Sequence, residues 1–127
     1  MLDPKVVSLA QAKNFAALST LLPDGQPQTH VMWVDADDEH VLINTELHRQ
    51  KAKNVLRDPR VSVAIINAAD PYDFVEVRGT VDEVVHGPVA RAHIDALALK
   101  YTGKPYAREV QSERVILRIA VTRTVLR

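Results

Sequence analysis

The chain predicts a mainly β domain, a small antiparallel barrel of six strands with a few helices. Two observations carry that reading. Six runs rich in β-branched and apolar residues are separated by short turn or helix signals, such as Pro23-Asp24-Gly25. Only three short stretches carry helix caps or helical spacing. A barrel is favoured over an open sheet because closure removes the exposed edges such strands would otherwise present.

The elements follow in order. Asp3-Pro4 offers an N-cap and a proline at the first helical position, predicting a helix to about residue 14. Phe15-Ala16-Ala17-Leu18-Ser19-Thr20-Leu21-Leu22 is the first strand, ended by the Pro23-Asp24-Gly25 turn. Gln28-Thr29-His30-Val31-Met32-Trp33-Val34 is the second. Residues 35–39 form a polar turn, and His40-Val41-Leu42-Ile43-Asn44-Thr45 returns as the third. The short loops predict that these three make a meander. A helix over about 48–57 stops at Asp58-Pro59, because proline disfavours helix in the residue before it. Arg60-Val61-Ser62-Val63-Ala64-Ile65-Ile66 is a strand, 67–71 a loop, and 72–84 a long strand. In that strand Val75, Val77 and Val81 share one face, and Gly79 marks a bend or bulge. Pro88 opens the last helix, Ile94, Leu97 and Tyr101 form its apolar stripe, and Gly103 ends it. Residues 114–121 are the final strand.

At 127 residues the chain makes one domain, 1–127, long enough for one full core. Sixteen basic and sixteen acidic residues give zero net charge, which argues against a general nucleic-acid binder. The absence of cysteine excludes disulfides, thiolate nucleophiles and cysteine metal sites. No apolar run approaches the roughly 18 residues that span a bilayer, and Met1-Leu2-Asp3-Pro4-Lys5 lacks the apolar core of a signal peptide. A cytoplasmic location is the expectation.

The most informative segment is Thr45-Glu46-Leu47-His48-Arg49-Gln50-Lys51-Ala52-Lys53-Asn54. Arg49, Lys51 and Lys53 stand at a helix start, where partial positive charge and free N–H groups already lie. Cations there are unfavourable unless an anion sits among them, and a phosphate would benefit from both. Most basic runs are solvated helix faces. Against that stand the position of this one and the neutral total charge. Thr45 is placed to add a hydroxyl contact. The histidines lack zinc-type spacing, and no serine has nucleophile-elbow context. Trp33 is the single tryptophan, suited to packing or to forming a wall beside a planar ligand.

The order of these elements resembles the split-barrel flavin and deazaflavin family, the FMN-binding, PNPOx-like split barrels whose archetype is pyridoxamine 5′-phosphate oxidase. It is most similar to the coenzyme F420-dependent branch of actinobacteria. The matching pieces include Phe15-Ala16-Ala17-Leu18-Ser19-Thr20, Val31-Met32-Trp33, Arg49-Gln50-Lys51-Ala52-Lys53-Asn54-Val55, Pro71-Tyr72-Asp73-Phe74-Val75-Glu76-Val77-Arg78-Gly79, and Lys100-Tyr101-Thr102-Gly103-Lys104-Pro105-Tyr106 with Glu113-Arg114-Val115. The resemblance implies a homodimer with two equivalent sites at the subunit interface. Arg49, Lys51 and Lys53 would hold a cofactor phosphate or acidic tail, with Thr45 and Asn54 in support. Thr29, His30, Val31, Met32 and Trp33 would lie along the ring system. The family usually has no dedicated catalytic acid or base, because the cofactor carries the hydride chemistry.

The resemblance implies coenzyme F420, with FMN as the alternative. F420 has an internal phosphodiester and a polyglutamate tail, so it rewards a longer basic track than a terminal phosphate does. The leading function is an F420H2-dependent reductase acting on an unsaturated small molecule. The alternatives are an FMN-dependent oxidoreductase or oxidase, and a non-catalytic cofactor- or haem-binding barrel with His30 or His93 as an axial ligand. Tyr72, Phe74 and Tyr106 are candidates to stack on a flat substrate, whereas Tyr101 reads as core.

Overall fold

In a computed structural model, which describes residues 1–126, the chain alternates strands with three helices. The order is α1 (Pro4–Gln11), β1 (Phe15–Leu21), β2 (Pro27–Met32), β3 (Asp35–Ala36), β4 (His40–Glu46), α2 (Gln50–Arg57), β5 (Arg60–Ile66), β6 (Phe74–Val85), α3 (Pro88–Thr102) and β7 (Arg114–Leu126). All strands join one antiparallel sheet in the order β2-β1-β5-β6-β7-β4-β3.

That sheet must curl. Its two edges are β2 and β3, which are neighbours in sequence. Met32 and Asp35 are three peptide steps apart, a span of at most ~11 Å. Six strand spacings laid flat would separate the edges by ~29 Å. The result is a half-barrel whose split lies at residues 33–34. Its core is aliphatic, with Leu18, Ile43, Ile65, Leu117 and Ile119 almost wholly buried among valines from β4, β5, β6 and β7.

The first three long strands do not form the expected meander. β2 pairs with β1, but β4 pairs with β7, Val41 opposite Ile119 and Ile43 opposite Leu117. The cause lies at Val34. Its N–H donates to Tyr101 Oη at 3.1 Å, and its carbonyl accepts from Lys100 Nζ at 2.6 Å. Side chains of α3 therefore satisfy a backbone unit that would otherwise need a strand partner. The chain is then free to switch edges. Asp35 and Ala36, expected within a turn, form a two-residue strand against Leu42 and Val41.

Other boundaries shift by a few residues. The first helix ends at Gln11 because Ala12 is extended, and the second starts at Gln50, with Arg49 as its N-cap. The sixth strand begins at Phe74, and the last runs on to Leu126 through its pairing with β6. Gly79 does mark a register shift, where β6 crosses Ala120 so closely that a Cβ would meet its carbonyl oxygen at 1.9 Å. Gly103 ends α3 at φ 77°, the left-handed region open to glycine. Among the described residues, no helix is long and apolar enough to cross a membrane.

Candidate functional site

A cleft of about 750 Å³ opens where the end of β2, β4, the first turn of α2, α3 and the segment before β7 converge. Its two halves differ in chemistry. One is apolar, built from Ile94, Leu97 and Ala98 of α3 with Trp33 and Tyr106. The other carries Arg49, Lys51, Lys104, Arg108 and Arg114, and among the described residues no aspartate or glutamate lines the cleft. In a chain of zero net charge, that is a strong local separation.

The apolar half is pre-ordered. Trp33 stacks on Tyr101 with ring centres 5.0 Å apart and planes 3° from parallel, and Tyr106 meets Trp33 edge-on at 6.5 Å. Tyr101 is fixed in turn, since its hydroxyl accepts from the Val34 N–H and donates to the Asn14 carbonyl. Trp33 thus presents a rigid indole at the cleft wall, with little left to order on ligand binding.

The cationic half is tense. Among the described residues, Arg49, Lys51, Lys104 and Arg108 have no acidic partner, and Arg114 has one, Glu46, at 3.6 Å. Burial, and then the charges of Arg49 and Arg114, hold the Lys51 ammonium below its ordinary pKa. Burial also lowers Arg114, helped by Arg49 and Arg91 and opposed by Tyr106 and Glu46. Burial opposes ionisation of Glu46, but N–H groups of Ser112 and Gln111 and the Arg114 charge keep its pKa low. It is a committed carboxylate, accepting from the Gln111 N–H at 2.7 Å and the Ser112 N–H at 2.8 Å. No side chain caps α2. Such a set of cations gains most from an anion.

The residues expected from sequence fall into two groups. His30, Val31, Met32, Trp33, Thr45, Arg49, Lys51 and Tyr106 line the cleft together. Thr29 stands just outside it, its hydroxyl 2.7 Å from that of Ser19. Lys53 is exposed on α2 beyond the cleft. Asn54 is wholly buried and donates to Thr20 Oγ1 at 2.9 Å and Gln28 Oε1 at 3.3 Å, fixing α2 against β1 and β2. Tyr72 is 80% exposed, Phe74 starts β6 opposite Ile66, and neither lines the cleft. His93 has both ring nitrogens engaged, by Asp35 and Asn44, which leaves neither free for a haem iron.

Sequence reasoning gave no role to Asn44, Lys104, Arg108 or Arg114. The available signal was weak: a charged residue, Arg114, at the start of an apolar strand, and two cations flanking Pro105-Tyr106 in a loop.

A curled antiparallel half-barrel with this cleft at its split defines a flavin-binding type of split barrel. Residues 2–126 match the pyridoxamine 5′-phosphate oxidase family, and the chain belongs to it. A solved structure described as an F420 reductase is 30% identical over 93% of this chain and 94% of its own, with a TM-score of 0.81. A conserved hypothetical protein from Mycobacterium tuberculosis is 32% identical over 98% of this chain and 82% of its own, with a TM-score of 0.76. An FMN-binding protein from Nostoc punctiforme, 16% identical over 98% of this chain and 84% of its own, shares the fold at a TM-score of 0.68.

Proposed function

We propose that this chain is an F420H2-dependent reductase that delivers a hydride from the deazaflavin to an unsaturated small molecule. One observation carries the reading: among the described residues, five cations and no carboxylate line a cleft with an apolar, tryptophan-walled half. The residues fit the group. F420 joins a flat ring system to a phosphodiester and an acidic tail, and the cleft joins a flat apolar wall to a cationic end. A single terminal phosphate, as on FMN, leaves more of those cations unpaired.

When bound, the reduced deazaflavin supplies a hydride from its C5. The chain's own residues bind, orient and exclude water. Arg49 and Lys51 hold the phosphodiester, assisted by the Thr45 hydroxyl, while Asn54 keeps their helix in place. Lys104, Arg108 and Arg114 take the acidic tail, and Lys53 extends the positive charge beyond the cleft. The backbone of residues 29–33 borders the ring, and Trp33 walls it. No general acid or base is assigned.

The active form is a homodimer in the cytoplasm. β2 has one edge without a strand partner, and Val31 on it is 69% exposed. A second copy covering this strand would close the ring end of the cleft, and Tyr72 and Phe74 take part only if that copy brings them. Sedimentation at micromolar concentration should give twice the chain mass. The functional test follows F420H2 oxidation with a panel of enones and quinones. Acceptor-dependent oxidation is expected, and tight F420 binding without turnover of any acceptor would mark a carrier instead.

A further inference from the structure

We infer that His93 is a positioning residue for the cleft, aiming the Arg114 guanidinium through Asn44. The inference rests on the reading that the cleft seats an anionic cofactor. It concerns how the most buried of the cleft's cations is held.

Four side chains from four elements form one chain of hydrogen bonds. Asp35 Oδ2 on β3 lies 3.0 Å from His93 Nε2 on α3. His93 Nδ1 lies 3.0 Å from Asn44 Nδ2 on β4. Asn44 Nδ2 also donates to the Ala90 carbonyl at 2.9 Å, and its Oδ1 accepts from Arg114 Nε on β7 at 2.9 Å. Donor and acceptor counting leaves one arrangement. The ionised Asp35 only accepts, so His93 Nε2 carries the hydrogen. The Ala90 carbonyl and the Arg114 N–H together fix the Asn44 amide, with nitrogen toward His93 and oxygen toward Arg114. His93 Nδ1 must then be a bare acceptor. Asp35 suits this role. Burial opposes its ionisation, but bonds from His93 and the Ala36 N–H hold its carboxyl below the ordinary range.

Arg114 needs such a guide. It is only 7% exposed, its ion pair with Glu46 is long at 3.6 Å, and it lies over the Tyr106 ring at 5.2 Å, with the charges of Arg49 and Arg91 nearby. Among the described residues, the bond to Asn44 is the shortest polar contact of its side chain. Without His93, Asn44 keeps only the Ala90 carbonyl as an anchor for its amide nitrogen. The guanidinium then loses its fixed direction, although His93 itself does not line the cleft.

The test compares His93→Leu, His93→Gln and Asn44→Ala with the wild type. A glutamine amide places a donor toward Asp35 and an acceptor toward Asn44, so it should preserve the relay. The first readout, hydrogen exchange at the Arg114 Nε–H by NMR, needs no cofactor. Exchange should speed up about tenfold, the size of one lost hydrogen bond, in His93→Leu and Asn44→Ala but not in His93→Gln. The second is affinity for inorganic pyrophosphate. His93→Leu should weaken it about tenfold in the wild-type background and leave it unchanged on Arg114→Met. Unchanged exchange in His93→Leu, or equal loss of pyrophosphate affinity on both backgrounds, overturns the relay. If pyrophosphate does not bind the wild type, the anionic-cleft reading fails, and the Arg114 signal still decides the relay.

Discussion

Replacing Lys51 by methionine should push binding and stability in opposite directions. Lys51 is half-buried, beside the charges of Arg49 and Arg114, with no acidic partner among the described residues. In the free protein its ammonium is therefore disfavoured by burial and by its neighbours. Methionine keeps most of the packed stem and removes the charge. Stability of the cofactor-free chain should hold or rise by less than about 1 kcal/mol, since partly solvated charges couple weakly. In the complex, the same change removes a charge-assisted hydrogen bond to the phosphodiester, worth about 1.5–3 kcal/mol. At about 1.4 kcal/mol per decade, that is roughly a 10- to 150-fold loss of affinity. The assay pairs urea unfolding of the free protein with fluorescence titration by F420. An unchanged F420 affinity, or a free protein destabilised by more than about 1 kcal/mol, would refute the argument that Lys51 is held in reserve for an anion.

Three further outcomes follow from the structure. Gly79→Ala should destabilise the fold by about 1–3 kcal/mol or more, because its Cβ would lie 1.9 Å from the Ala120 carbonyl oxygen and backbone must move; chemical denaturation reads this directly. Asn54→Ala should cost about 1–3 kcal/mol, since it strips a hydrogen-bond partner from the buried Thr20 hydroxyl; a Thr20→Val background should reduce the loss. Asp58 has its pKa lowered to about 2, chiefly by the Arg60 side chain. A depressed carboxylate stabilises the fold above its ordinary pKa, and that contribution is lost as pH falls toward the folded value. Asp58→Asn should therefore be the less stable protein at pH 6, with the gap closing as pH falls from about 4 toward 2; parallel acid titrations of unfolding would show it.

Local patterns were legible in the sequence, and long-range ones were not. The strand Arg60–Ile66, the bulge at Gly79 and the glycine end of α3 were set by β-branched runs, a bend residue and a left-handed cap. The crossing from one sheet edge to the other was not readable. It depends on Tyr101 and Lys100 satisfying Val34 from 67 and 66 residues away. The site divides in the same way. Arg49 and Lys51 stood out because their anomaly is local, cations at a helix start. Lys104, Arg108 and Arg114 come from a loop and a strand end, where no periodicity distinguishes a lining residue from a solvated one. Asn54 stood beside the basic cluster in sequence, yet it faces the interior, because on a short helix neighbouring positions look to different sides.

On the proposed function, the cation-lined half of the cleft selects F420 by its phosphodiester and tail. The most direct measurement is a parallel titration of the purified protein with F420, with FMN, and with the same deazaflavin lacking phosphodiester and tail, at low and high salt. F420 should bind tightest and weaken as salt rises, and both other ligands should bind at least about tenfold more weakly. Equal affinity for the tailless deazaflavin, or tighter binding of FMN, would contradict it.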